Sequence, residues 1–327
     1  MAETLRVGGA LAAAAAAAGA PPTGEEAVRG LLLVALGYAV ICCADASVKW
    51  VLPQIGAAAA MVWRGMVGAA MVAALARGRG LRPVRWRLLS LRSLLHTGVS
   101  AAWYLAWGLG VPLAASYAVA SAAPLLMTLL AIPILGERVG WRRWLSTGIG
   151  FCGVLFMLQP DGELWRWETA MLLAATAVLA LTRIWTRVLT RTDTPNAIAF
   201  WLMAAHVPVG LALLPFEAMW PPGGGGPPPL LPGWSAVLAL LAFGMANGLA
   251  HVLFARGFAL APVAAIAPFE YSPLLWGIPL GALIWGEVPG WTTLAGAAVV
   301  VGAGLYNLHR ERLRRAQERA AASGSGG

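Results

Sequence analysis

PVAAIAPFEYSPLLWGIPLGALIWGEVPGW, Pro262 to Trp291, decides how this chain is read. It is apolar for almost the length of a bilayer span, carries one acid near its start, and closes on Gly286-Glu287. A second copy lies upstream, PLAASYAVASAAPLLMTLLAIPILGERVGW, Pro112 to Trp141. Pro112, Gly136, Glu137, Gly140 and Trp141 recur 150 residues later as Pro262, Gly286, Glu287, Gly290 and Trp291. One span built twice implies a chain made of two related halves.

The remaining composition agrees with a lipid solvent. Of 327 residues, 59% are hydrophobic and 11% charged, and the mean hydropathy is +0.73. A water-soluble chain of this length has no means of hiding that much apolar surface. The net charge of +9 does not signal nucleic acid, because the arginines cluster between apolar spans and leave no soluble basic domain. Cys42, Cys43 and Cys152 fall inside apolar runs, no His/Cys spacing suits a metal, and no cofactor is implied.

About 20 apolar residues cross a bilayer as helix. That ruler predicts an all-α integral membrane protein of ten transmembrane helices: 30–50, 56–76, 93–110, 113–135, 143–159, 168–188, 196–217, 234–256, 263–285 and 291–308. They divide into a first repeat over 30–160 and a second over 168–308. Residues 1–29, rich in Ala, Gly and Pro, read as a disordered cytoplasmic tail, and 309–327 as a basic cytoplasmic tail. Arginines gather in alternate connections: Arg77, Arg79, Arg82, Arg85, Arg87 and Arg92; then Arg138, Arg142 and Arg143; then Arg187 and Arg191; then Arg256; then the C-terminal tail. This positive-inside pattern puts both termini in the cytoplasm. Five spans per half is an odd number, so the halves are inverted, with Glu137 on the inner side and Glu287 on the outer.

Two five-helix halves, each ending its fourth span in Gly-Glu before a Gly-containing fifth span, resemble the EamA family of the drug/metabolite transporter superfamily. The matching segments are APLLMTLLAIPILGERVGWRRWLSTGIGFCGVLFML and APFEYSPLLWGIPLGALIWGEVPGWTTLAGAAVVVGAGLYNL. The resemblance implies a ten-helix basket in which spans 1–4 and 6–9 surround a central cavity, and carriage of a metabolite without ATP hydrolysis. PFEYSPLLWG is similar to a bacterial subgroup with a PFDY-like motif, whose members are assigned to vitamin or nucleoside-type metabolite uptake. Here Glu270 stands in place of Asp.

Ionisable groups inside a span cost on the order of 2.5–3.5 kcal/mol at a helix centre, so each needs an explanation. Asp45 and Lys49 are four apart on span 1 and can pair. Arg64, on span 2, lies at a depth like that of Asp45, which predicts a charge pair in the outer part of the cavity or a clamp between the two spans. Glu270 has no Lys or Arg within a helical turn in sequence. As a lone carboxyl in low dielectric it is a candidate proton- or substrate-linked group beside Tyr271, or a neutral hydrogen bonder. His206, Asn247 and His251 are helix-to-helix hydrogen bonders or relay groups. Trp103, Tyr104 and Trp107, with Tyr117 and Ser121, supply an aromatic wall for a planar solute, or, for Trp107 above all, an interfacial anchor. Glu137 and Glu287 read as structural caps on the helices that follow them. Arg183 and Arg187 read as snorkelling side chains at the cytoplasmic end of span 6. Gly148, Gly150 and Gly153, with Gly296, Gly302 and Gly304, give spans 5 and 10 small-residue faces that suit close packing, including that of a homodimer.

These residues point to a secondary transporter of a small polar or aromatic metabolite in the bacterial inner membrane, working by alternating access and open to proton linkage. The partners implied are the metabolite and the bilayer. An intramembrane enzyme and a non-transporting scaffold are the alternatives. The chain has no Walker A motif, no H-E-x-x-H and no G-x-S-x-G to support the enzyme.

Overall fold

The computed structural model describes residues 24–135, 141–158, 167–219, 233–261, 266–303, 305–306 and 309. They are helical, with no strand among them. In chain order the helices are α1 (Gly24–Leu75), α2 (Trp86–Gly108), α3 (Leu113–Ala120), α4 (Ala123–Leu135), α5 (Trp141–Leu158), α6 (Trp167–Leu189), α7 (Pro195–Met219), α8 (Trp234–Leu260), α9 (Ser272–Trp285) and α10 (Trp291–Ala303). A 3₁₀ turn, Ala267–Tyr271, precedes α9. The stretches Glu25–Leu75, Trp167–Leu189, Pro195–Glu217 and Trp234–Leu260 are long and apolar enough to cross a membrane.

Spans 1 and 2 run together in α1, but Gly56 breaks them with φ 74° and ψ 172°. That is a left-handed backbone region open chiefly to glycine. The two arms, 24–55 and 57–75, pack most extensively against α8 and α7. The first arm begins at Gly24, inside the stretch expected to be disordered tail. Residues 1–23, the 220–232 connection, Glu137 and the C-terminal residues beyond His309 lie outside the described residues.

Spans 4 and 9 are each discontinuous, and at matching places. Span 4 breaks at Ser121-Ala122 between α3 and α4; span 9 breaks between Tyr271 and Ser272. Proline explains both. Pro124 opens α4 and Pro273 opens α9, each in a first turn where its missing N–H costs nothing. The backbone stays hydrogen-bonded at both places, Ser121 N–H to the Tyr117 carbonyl at 3.0 Å and Ser272 N–H to the Phe269 carbonyl, so each is a change of helix type beside the cavity.

Tyr104, Phe243, Met61, Leu113 and Leu172 are fully enclosed, whereas Trp234, Leu283, Val288 and Leu275 are each at least 75% exposed. Large apolar side chains outside and polar ones within is the arrangement that lipid favours. Part of the glycine face is packed within the chain, since a Cβ on Gly153 would meet Val299 at 2.9 Å and the Gly296 carbonyl at 3.1 Å, whereas a Cβ on Gly148 or Gly302 would meet nothing within 4 Å. Gly304 lies outside the described residues.

Candidate functional site

A cavity of about 100 Å³ lies between the arms of α1, α2, α3, α6, α8 and the break before α9. Asp45, Arg64, Trp103, Tyr104, Tyr117, His251 and Glu270 line it. Ser121, His206, Asn247 and Tyr271 sit outside its lining. Ser121 bonds the Ala118 carbonyl at 2.5 Å, and Asn247 donates to the Phe243 carbonyl at 3.0 Å. The buried Tyr271 hydroxyl has no partner. Tyr38, His96, Ser100 and Arg183 line the cavity without having been predicted to, and Trp107 lines it as a member of the wall.

Arg64 is the hub, 4% exposed. Its Nη1 donates to Ser100 Oγ at 3.0 Å and to the Tyr104 hydroxyl at 2.5 Å. Its Nη2 lies 3.0 Å from His251 Nε2, which therefore accepts and leaves that imidazole neutral. His206 places Nδ1 2.8 Å from the Leu202 carbonyl and Nε2 3.0 Å from Ser100 Oγ. A proton on Nδ1 satisfies the carbonyl, so Ser100 donates to Nε2 while accepting from Arg64. His206 thus supports the hub from behind.

Asp45 does not pair with Lys49; it faces the same cavity as Arg64, with no direct bond to it. Asp45 accepts the Tyr117 hydroxyl at 2.9 Å. Lys49 instead pairs with Glu287, across the two halves, and lies 4.7 Å from the centre of the Trp285 ring. Glu287 also accepts the Leu113 N–H at 2.8 Å. It caps α3 of the opposite half rather than the helix that follows it, because the end of span 9 lies beside the start of span 4.

Glu270 has a cation that its sequence neighbours do not reveal. Arg183 Nε lies 3.5 Å from Glu270 Oε1, both side chains at most 6% exposed. The Arg183 guanidinium also sits 4.6 Å from the centre of the Phe254 ring and donates to the Tyr38 hydroxyl at 3.3 Å. Arg183 therefore does not snorkel. Arg187, half-buried, donates to the Phe258 carbonyl. Arg92, counted above among loop arginines, is 2% exposed and bonds Thr186 Oγ1 at 3.1 Å. Burial outweighs position in sequence for both Arg92 and Arg183, because cross-helix partners can satisfy a guanidinium.

Trp103, Trp107 and Tyr117 build the aromatic wall. Trp103 packs edge-on against Trp107 at 5.5 Å and tilted against Tyr117 at 6.0 Å. Trp107 is 4% exposed and donates Nε1–H to Ser116 Oγ at 2.9 Å, so it is a wall residue and not an interfacial anchor. Indole and phenol faces around a guanidinium can hold a flat solute by stacking while the hub fixes one polar edge. No group of three or more His, Cys, Asp or Glu able to hold a metal occurs among the described residues.

The EamA-like transporter family profile matches residues 28–159 and again 166–307. The chain belongs to this family. Among curated relatives of this EamA protein is a riboflavin transporter of Rhizobium johnstonii, 27% identical, the match covering 89% of this chain and 94% of that one. An S-adenosylmethionine uptake transporter of Rickettsia prowazekii is 24% identical over 68% of this chain and 71% of its own length. A solved crystal structure shares the fold at a TM-score of 0.62 and 18% identity, covering 89% of this chain and 98% of that chain. The EamA chain is thus a membrane transporter, and its family standing is that of a carrier of small molecules rather than an enzyme.

Proposed function

We propose that this protein carries a small, planar, polar metabolite across the bacterial inner membrane by alternating access between two inverted five-helix halves. Ten spans, with α1 supplying two, and both termini in the cytoplasm complete the reading. The observation that carries it is the cavity itself: an organised guanidinium, Arg64, beside the Trp103–Tyr117 wall, bounded by the interrupted spans 4 and 9. Discontinuous helices at the repeat interface are where secondary transporters bind their solutes. The relatives named for riboflavin and S-adenosylmethionine, both bearing flat heterocycles, support a planar solute.

The cavity is smaller than the roughly 300–1,000 Å³ of drug-sized ligand pockets, so a fused-ring solute enters only as the halves separate. Glu270 is the group best placed for a proton link. Protonating it would remove the attraction to Arg183 and loosen α9 from α6. A metabolite uptake screen tests the reading: cells expressing the protein, compared with empty-vector cells, accumulate or lose a planar metabolite. Identical metabolite profiles in the two would count against it.

A further inference from the structure

Among the described residues three guanidiniums are enclosed: Arg64, Arg92 and Arg183. Arginine keeps its proton in proteins, so each brings a full positive charge into the interior. Two carboxylates face the cavity against them, Asp45 and Glu270. Glu270 is taken by Arg183. Asp45 is engaged by the Tyr117 hydroxyl. Arg64 has only neutral partners, Ser100, Tyr104 and His251, and its Nε is buried with no hydrogen bond. Arg92 likewise leaves Nη1 unpartnered. Neither has a carboxylate within 4 Å among the described residues. Of the three, Arg64 and Arg183 line the cavity and Arg92 does not, and it is Arg64 that faces the cavity without a carboxylate bonded to it.

An uncompensated buried charge is strongly unfavourable, and polar partners offset it only in part. A protein that keeps such a charge facing a cavity has a use for a counter-charge from outside. Trp103 Nε1, also buried and unpartnered, adds a second free donor on the same wall.

We propose that the solute carries an anionic group, a carboxylate or a phosphate monoester, which docks on Arg64 while its ring system rests against the Trp103–Tyr117 wall. This rests on the transport reading above and specifies its substrate class as planar anions. A guanidinium with a free Nε–H presents the forked donor edge that both anions accept. The solute would give Arg64 the anionic hydrogen-bond partner that it lacks within the chain.

The test is equilibrium binding to the purified protein in lipid nanodiscs, with two matched probe pairs. Riboflavin and riboflavin 5′-phosphate differ by a phosphate; indole-3-acetamide and indole-3-acetate differ by a carboxylate charge. The anionic member of at least one pair should bind about tenfold or more tightly than its neutral partner, the scale of a charge-assisted hydrogen bond. Which pair discriminates tells phosphate from carboxylate. Arg64→Gln should collapse the ratio toward one, and Arg64→Lys should retain part of it. The wild-type comparison stands even where a variant does not fold. Equal affinities within both pairs, preference for the neutral members, binding of none of the four, or an undiminished ratio in folded Arg64→Gln would each overturn the proposal. Tight binding and uptake of riboflavin itself would do so while upholding the transport reading.

Discussion

The Glu217 carboxylate, at the end of α7, accepts the Ala57 N–H at 2.6 Å, and with its other oxygen the Ala58 N–H at 2.8 Å. A residue of the second half thereby caps a helix of the first, satisfying two of the donors left bare at a helix start. Glu287 repeats the device on Leu113. Both caps lie, on the proposed orientation, at the outer end of the cavity, so that end is closed by carboxylates holding helix N-termini across the halves.

Glu217→Gln should lower the melting temperature of the detergent-solubilised protein, by the equivalent of about 0.5–2 kcal/mol expected for a lost N-cap. Gly56→Ala should do more harm, since a Cβ there would lie 2.5 Å from Glu217 Oε1 and its φ is positive. Thermal unfolding checks both; a Gly56→Ala protein as stable as the parent would contradict the break as described.

Glu287 and Lys49 form the second outer contact, so loosening them should open the cavity. Cys42 lines that cavity and is fully enclosed. With Cys43 and Cys152 replaced by Ala, a membrane-impermeant thiol reagent applied outside should label Cys42 slowly. Glu287→Gln or Lys49→Met should speed labelling about tenfold, as loss of roughly 1.4 kcal/mol of closure implies. An unchanged rate would mean that these residues do not hold the outer end shut.

Glu270 and Arg183 should behave as a coupled pair. Glu270→Gln alone leaves a buried guanidinium without its carboxylate, a change that costs about 3–5 kcal/mol where such pairs are broken. Combining it with Arg183→Gln should restore much of the stability. A double-mutant cycle on unfolding measures the coupling. Additive losses would show the 3.5 Å contact to be incidental.

Gly277 sets the position of Tyr117. A Cβ at Gly277 would collide with Tyr117 Cδ2, so Gly277→Ala should displace the ring and break its bond to Asp45. Membrane insertion should persist while solute binding falls at least about tenfold, as loss of a charge-assisted bond implies. Wild-type affinity in the Gly277→Ala protein would remove Tyr117 from the site.

The doubled Gly-Glu segment made the repeat legible, because it depends on local spacing alone. The aromatic wall was legible too, from Trp103, Tyr104 and Tyr117 standing on apolar spans. Pairings across the halves were not. Lys49 has Asp45 four residues away but Glu287 beside it in space, and Glu270 meets Arg183 from another helix. Arg92 looked like a loop cation and Arg183 like a snorkelling one because they stand near span ends, where arginines usually mark the inner surface. One signal was available and unread: Arg92, His96, Ser100 and Tyr104 recur every four residues along α2, a polar stripe that a lipid-facing helix would not carry. It supplies Ser100 and Tyr104 to Arg64, and His96 stands edge-on to His251 at 5.2 Å.

Solute flux into proteoliposomes tests the central claim most directly. Purified protein reconstituted into lipid vesicles should take up a planar aromatic metabolite, drawn from a panel that includes riboflavin and riboflavin 5′-phosphate. Uptake should saturate with concentration, exceed that of protein-free vesicles, and fall at least about tenfold in Arg64→Gln, on the scale of a lost charge-assisted hydrogen bond. Flux equal to that of protein-free vesicles across the panel, or flux in Arg64→Gln equal to that of the parent, would contradict a transport route through the cavity around Arg64.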